Sequence, residues 1–417
     1  MQSEKTSPNI KKEFSQTFRS LKHRNFRIYF LGQMISLSGT WMQSVALSWL
    51  VYRLTHSPVA LAQVESANLF PMLLFGLLGG SLADKCDRKK MLLCTQILAM
   101  VQASVLAYLT LTNQVQLWHA ICLAAWVGTC SAFEVPSRQA LLVDLVERDD
   151  LVNAISLNSS LFQAARTIGP ALGGMIVAAA GEGVCFVINA VSFLAAIAAI
   201  ALLQVRRHEK VSHADAQHVS EALKFVWQEM SVRRVLLLAI FLSLFGLQFT
   251  VLLPVFASEI LGGDVKTLGA LRAVAGVGAF IAALNLAHRG SGQFLKWAVG
   301  FASVGFSVLV IAFCFSRNLW ISLALASLIG LCMTTQMSGG HSLFQLAVSD
   351  RLRGRVMSIY MMVLLGIAPF GSYFVGLCAS RWGAPLTVAA CGAICLCSGI
   401  VYLLSVRAEF IAHKNST

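Results

Sequence analysis

Four charged residues stand inside long apolar runs of this 417-residue chain: Glu65, Glu134, Arg166 and Arg272. A charge carried into hydrocarbon is costly unless it is paired or wetted, so each marks a cavity, a proton path or a partner. Arg166 lies about 13 residues into its run, roughly 20 Å of helix, which puts it near the middle of a bilayer. An anionic group on a ligand is one partner it could meet there. Glu134 has Arg138 one helical turn on, a spacing that equally suits a local ion pair. Proton carriage, if there is any, falls to the carboxylates Glu134 and Glu65. Polar stripes extend the pattern. Gln33, Ser36, Thr40, Gln43, Ser44 and Ser48 fall on one side of a helix, and Thr334, Ser338, His341 and Gln345 on one side of another. Ser243 with Thr250 makes a shorter stripe. Such stripes are expected to face a wet path through the bundle, although a single Ser or Thr commonly bonds only its own helix. Trp41, beside the first stripe, could stack on a flat substrate, but packing between helices is the plainer reading. His341 is more ordinarily a satisfied interior histidine than a proton carrier.

The elements that must position these residues are membrane-spanning helices. The chain is 57% hydrophobic and 12% charged, against about 25% charged for a soluble domain. A span needs about 20 apolar residues. Twelve runs qualify, numbered here as spans 1 to 12: 28–52, 59–83, 91–112, 117–136, 153–180, 184–205, 235–260, 267–288, 296–315, 320–343, 356–380 and 386–405. The basic segment 1–27 leads directly into span 1 with no small-residue cleavage site, so it reads as a tail. With that tail inside, 26 of the 32 Lys and Arg fall in segments on its side and four in the opposite loops. The positive-inside rule then places both termini in the cytoplasm, and the net charge of +13 is orientation, with nucleic acid not expected as a partner. The eleven cysteines lie mostly in apolar runs and form no CxxC pair, so neither a disulfide scaffold, a metal nor a redox cofactor is expected. No Walker P-loop, zincin motif or nucleophile elbow occurs, so no cofactor, no ATP-driven step and no catalytic residue is expected; the protein is not read as an enzyme.

The expected organisation is a cytoplasmic tail (1–27), a six-helix half (28–205), a linker (206–234), a second six-helix half (235–405) and a short cytoplasmic tail (406–417). The linker opens with RRHEKVSHADAQH and continues as a helix whose Ala222, Leu223, Val226, Trp227 and Met230 share a face. That pattern suits an amphipathic helix on the membrane surface, or a solvated linker helix. A shift of 202 residues aligns Asn153–Leu157 with Arg355–Ile359 and Gly76 with Gly278, a weak repeat that fits two parallel halves. Pro71, Pro254 and Pro369 are expected to bend spans 2, 7 and 11.

Two motifs complete the reading. The stretch GGSLADKCDRKK, Gly79 to Lys90, resembles the loop 2–3 signature of the major facilitator superfamily through Gly80, Asp84, Lys85, Arg88 and Lys89, with Asp87 where that family usually has glycine. The resemblance implies a conformational gate, in which Asp84 faces the dipole of span 11 and Arg88 pairs with a carboxylate on another loop, for which Asp144 is the candidate. In span 5, Gly169-Pro170-Ala171-Leu172-Gly173-Gly174 resembles the motif of the superfamily's exporting antiporters; close helix packing explains the same residues. TWMQSVALSWLVYRLTHSP, AFEVPSRQALLVDLV and NSSLFQAARTIGPALGG are similar to its drug, siderophore and lysophospholipid exporter branch. The resemblance implies an all-α membrane protein of twelve transmembrane helices in two pseudo-symmetric six-helix halves, a monomer in the bacterial inner membrane. It would export a small amphipathic molecule by alternating access in exchange for protons. An importer or lysophospholipid flippase on the same fold stays open, as does, more remotely, a non-transporting receptor or scaffold.

Overall fold

The computed structural model describes residues 18–204, 219–289, 292–348 and 350–416; the polar opening of the linker lies outside them. Among the described residues the secondary structure is helical throughout. Ten helical stretches are long and apolar enough to cross a membrane. One of them, Arg148–Ala201, has 54 residues, about 80 Å of helix and far too long for one crossing. It breaks at Gly181, whose φ of 84° and ψ of 168° put it in a region that only glycine enters cheaply. Arg24–Thr55, 32 residues long, falls outside the ten because its polar stripe dilutes its hydropathy. Dividing the first at Gly181 and adding the second gives a helical segment for each of the twelve expected spans.

Local sequence sets the helix starts. Ser57 accepts from the Ala60 amide with Pro58 in the first turn of span 2, Asp87 accepts from the Lys89 and Lys90 amides ahead of span 3, and Asn318 caps span 10. Each side chain satisfies amides that the first turn leaves without a partner. Proline acts unevenly. Span 7 is interrupted around Pro254, with π turns at Leu242–Gly246 and Phe256–Ile260, and span 11 is divided at Ile367, before Pro369. The span 2 helix, however, runs unbroken from Pro58 to Lys85 through Pro71.

Span 1 packs along spans 5 and 6, span 2 along span 4, and span 3 along span 6; in the second group span 8 packs on span 10, and span 9 on spans 10 and 12. The two groups meet along two seams, span 5 on span 8 and span 2 on span 11. The linker helix, Val219–Gln228, buries Val226 in the same cluster as Val235, Phe344, Tyr402 and Val406. Its Trp227 points the other way and is 67% exposed. The face expected to be continuous is therefore divided, Val226 anchoring the helix to the bundle and Trp227 free for a membrane surface. The side chains of Ala222 and Leu223 lie outside the described residues.

Candidate functional site

The described residues begin at Phe18 and finish at Ser416 at one end of the bundle, here the terminal end; the loops at His56, Gly181, Gly262 and Gly383 mark the distal end. Among the described residues, three side-chain hydrogen bonds join the first six spans to the last six, and all lie in the distal half. Tyr52 donates to Glu259 Oε1 at 2.6 Å between spans 1 and 7. Ser66 donates to the Pro369 carbonyl at 2.8 Å between spans 2 and 11, and Arg272 reaches Ser44 Oγ at 3.4 Å between spans 8 and 1. Glu65 of span 2 is the charge that Arg272 faces across the same boundary. The Nε of Arg272 is buried without a hydrogen bond. Toward the terminal end one face of span 2 is open, since a Cβ added at Gly76 or Gly80 would meet nothing within 4 Å, while Gly79 on another face packs against the Ala132 backbone of span 4. The bundle is thus drawn shut at the distal end.

Glu259 escaped the sequence reading because it sits at the last turn of span 7, where a carboxylate is unremarkable. Its partner is 207 residues away, and no spacing rule reaches that far. Tyr52→Phe removes one charge-assisted hydrogen bond, about 1.5–3 kcal/mol, from the distal closure alone. The expected result is a population shifted toward the distal-open form by roughly tenfold or more, read as faster labelling of a cysteine placed at Ser48.

The span 5 motif forms one side of this closure. A Cβ on Gly169 would fall 2.5 Å from Trp41 Cβ, and one on Gly173 3.0 Å from the Met42 carbonyl, both on span 1. Gly174 faces the other way: a Cβ there would lie 2.9 Å from the Val265 carbonyl, and one on Gly269 2.7 Å from the Pro170 carbonyl. Span 5 is therefore wedged between span 1 and span 8, with backbone against backbone on both sides.

Near the middle of the bundle Arg166 lies over the Trp41 ring, 5.9 Å from its centroid, and Trp41 meets Phe162 edge-on at 5.7 Å. Among the described residues Arg166 forms no ion pair with a carboxylate. A cation resting on an aromatic face keeps its outward donors available, an arrangement suited to an anionic or planar group.

The polar stripe of span 1 divides. Its six residues fan across about 140° of the helix, and the packing splits them. Gln33, Ser36 and Gln43 are buried. Gln43 donates to Gln102 Oε1 at 3.2 Å and accepts from Asn189 Nδ2 at 2.8 Å, which joins spans 1, 3 and 6. Gln43 therefore faces the interior of the first six spans rather than a path, and an amide that finds amides in hydrocarbon holds helices together. Thr40 is exposed, and Ser44 is the hydroxyl that Arg272 meets. His341 packs edge-on against Tyr360, centroids 5.9 Å apart.

At the terminal end Arg88 donates to Asp144 Oδ2 at 2.9 Å and to the Ala140 carbonyl at 3.4 Å. Both residues belong to the first six spans, so this pair braces spans 3 and 4 against each other. Lys89 donates to the carbonyls of Ala201 and Leu203 at 2.8 and 2.7 Å, closing the C-terminal end of span 6, where a cation also suits the helix dipole. The side chain of Asp84 lies outside the described residues. Arg138 reaches Glu134 at 3.4 Å on its own helix. A feature the sequence reading missed is Asp150, 1% exposed, which pairs with Arg19 at 2.6 Å, Lys22 at 2.7 Å and His23 at 2.7 Å. It ties residues 19–23 to the loop between spans 4 and 5. The hydrogen bond from Lys22, followed by that from His23, holds the Asp150 carboxyl at about 2, below its ordinary range. Because the folded value is depressed, this docking is fully present above the ordinary aspartate value of about 3.9 and is lost as pH falls toward 2. Proteolysis of the tail should therefore be unchanged between neutral pH and about 4, and should rise at neutral pH in Asp150→Asn.

A bundle of membrane helices in two groups, meeting along spans 2 and 11 and spans 5 and 8, is the architecture of a major facilitator transporter. The chain belongs to the transmembrane secretion effector family of that superfamily, whose sequence profile matches residues 15–416. It is 27% identical over 384 residues to the staphyloferrin A transporter of Staphylococcus aureus, covering 90% of this chain and 95% of that protein. It is 23% identical over 392 residues to the multidrug efflux pump Tap of Mycolicibacterium fortuitum, covering 90% and 95%. In fold it resembles a bacterial homolog of the human lysosomal transporter Spinster in an inward-facing, unoccupied conformation, with a TM-score of 0.73, 14% identity, and 92% and 96% of the two chains covered. The protein is a multi-pass membrane transporter of the drug and siderophore exporter branch, and not an enzyme.

Proposed function

We propose that this transporter exports a small amphipathic molecule of the siderophore or drug type from the cytoplasm, as a monomer, by alternating access in exchange for protons. The observation that carries the reading is the one-sided closure: the two six-helix halves are bonded in their distal half, with Arg166 and Trp41 at mid-depth. Positive-inside placement makes the terminal end cytoplasmic, so this form takes substrate from inside. Similarity to a siderophore transporter and to multidrug efflux pumps supports the substrate class and the direction.

In this cycle substrate reaches Arg166 from the terminal end, the halves rock, and Tyr52–Glu259 and Glu65–Arg272 part as the distal end opens. As the distal end opens, Glu65 gains access to the outside and can exchange a proton with it. Reclosure withdraws the carboxylate from the outside and returns it to the vicinity of Arg272, so a proton taken up outside travels inward as the halves rock and substrate leaves. Glu134 suits this role less well, because its partner Arg138 shares its helix and stays with it when the halves move. Arg88, Asp144 and Lys89 brace the terminal ends of spans 3, 4 and 6, which lets that half move as a body around Gly80 and Asp84.

The test is a deletion strain grown in iron-poor medium and against a panel of antibiotics, with siderophore measured in the culture fluid. Export predicts siderophore lost from the fluid or a raised sensitivity to at least one drug, restored by the intact gene. Reduced accumulation of an added siderophore or lipid, with secretion unchanged, would instead establish import or flipping.

A further inference from the structure

A cavity of about 560 Å³ lies at the terminal end, between spans 7, 9, 10 and 12. All of its described lining residues come from the last six spans and their flanks, so it lies within one half rather than between the two. Its walls are apolar: Val235, Tyr402 and Val406 are almost fully buried, with Leu343 between them, while Leu346 and Phe410, 67% and 45% exposed, form a greasy rim. Its mouth is charged. Arg234 reaches Glu409 Oε2 at 3.0 Å, and Lys296 bonds the other oxygen of the same carboxylate. Two cations share one carboxylate, which leaves a net positive charge at the mouth. The level is interfacial, since exposed Trp227 of the linker helix lies at the same end.

An apolar recess below a cationic mouth, at the depth of lipid headgroups, matches a molecule with one anionic head and a hydrocarbon chain. The volume falls within the range of about 300–1,000 Å³ typical of sites for single small ligands. We propose that this cavity holds one anionic phospholipid of the adjacent leaflet, its phosphate on Arg234 and Lys296 and an acyl chain against Tyr402 and Val406. The floor also has a structural consequence. Val235, Tyr402 and Val406 belong to the cluster that buries Val226 of the linker helix, so a lipid here sits directly behind the segment that connects the two halves. Loss of the lipid would loosen that attachment.

The test uses the purified full-length protein, stripped of lipid in neutral detergent and then given phosphatidylglycerol, phosphatidylcholine or glycerol 3-phosphate. Phosphatidylglycerol should raise the melting temperature, with the other two having little effect. The rise should vanish in Val406→Trp, which fills the recess, weaken about tenfold in apparent affinity in Lys296→Gln, and survive in Lys296→Arg. An equal rise with phosphatidylcholine would reduce the site to general solvation by lipid, and an equal rise with glycerol 3-phosphate to a simple anion site; either overturns the proposal, as does an unchanged rise in Val406→Trp. Should the variants fail to fold, hydrogen exchange of the unmodified protein decides. Phosphatidylglycerol must slow exchange at 219–235 and 402–410, and protection confined to other segments refutes the site.

Discussion

Glu65→Gln is expected to abolish export driven by a pH gradient in membrane vesicles while leaving exchange of substrate for substrate intact. The argument rests on where Glu65 stands. It belongs to span 2, and the charge it faces, Arg272, belongs to span 8 in the other half. In the proposed cycle, closing the distal end both withdraws the carboxylate from water and brings Arg272 near it, and opening reverses both. A group whose electrostatic environment changes with the conformational step couples proton binding to that step, and the coupling is as large as the difference between the two environments. Glutamine keeps the size and the hydrogen-bonding capacity but cannot titrate, so the halves can still rock around bound substrate while the gradient has nothing to act on. Glu134→Gln makes the control. Its partner Arg138 lies one turn along the same helix at 3.4 Å and accompanies it through the cycle, so gradient-driven export should persist at a substantial fraction of the original rate. Persistence of coupling in Glu65→Gln together with its loss in Glu134→Gln would transfer the proton to span 4.

The parts of this arrangement that the sequence shows, and those it hides, follow from the range of the forces involved. Helix placement is local: about 20 apolar residues must stay in hydrocarbon whatever their neighbours do, and the described helices lie close to the apolar runs. Caps are local too, and Asp87, which departs from the usual glycine of the loop signature, is an N-cap for span 3. The pairing of Arg88 with Asp144 could be read because spans 3 and 4 are consecutive, so their terminal ends are neighbours. Tyr52–Glu259 could not, because nothing along the chain says that the end of span 1 meets the end of span 7. The surroundings of Gln43 in the polar stripe were hidden for a related reason. A helical wheel gives the direction of Gln43 but not what lies in that direction, and the neighbours proved to be Gln102 and Asn189 rather than water. Asp150 was hidden in an ordinary acidic turn, since only docking of the tail reveals three cations converging on it.

The span 5 motif gains a specific meaning from its two-sided packing. Gly169 and Gly173 hold span 5 to span 1 within one half, while Gly174 meets Gly269 of the other half without a side chain between them. In the proposed cycle the first contact persists and the second forms and breaks. A seam made of bare backbone gains little from deep side-chain interlocking, and so is suited to separating and rejoining with little repacking.

Arg166 carries the remaining large effect. It stands at mid-depth on the ring of Trp41, where a desolvated cation on an aromatic face contributes about 2 kcal/mol or more, and the ring holds it in place without neutralising it. Arg166→Gln should therefore leave membrane insertion intact, because the ring packing of Trp41 with Phe162 remains. It should raise the concentration for half-maximal export of an anionic substrate by at least about tenfold, the value of one charge-assisted contact. Arg166→Lys should recover only part of this, since a point charge on a flexible stem neither stacks as well nor presents a paired fork of donors. Trp41→Phe should weaken the same substrate more mildly, through looser positioning of the cation. A cationic substrate is expected to respond in the opposite direction to Arg166→Gln, because the mutation removes a like charge from its path. Measuring one anionic and one cationic substrate on the same vesicles separates a binding role from general damage, which would depress both.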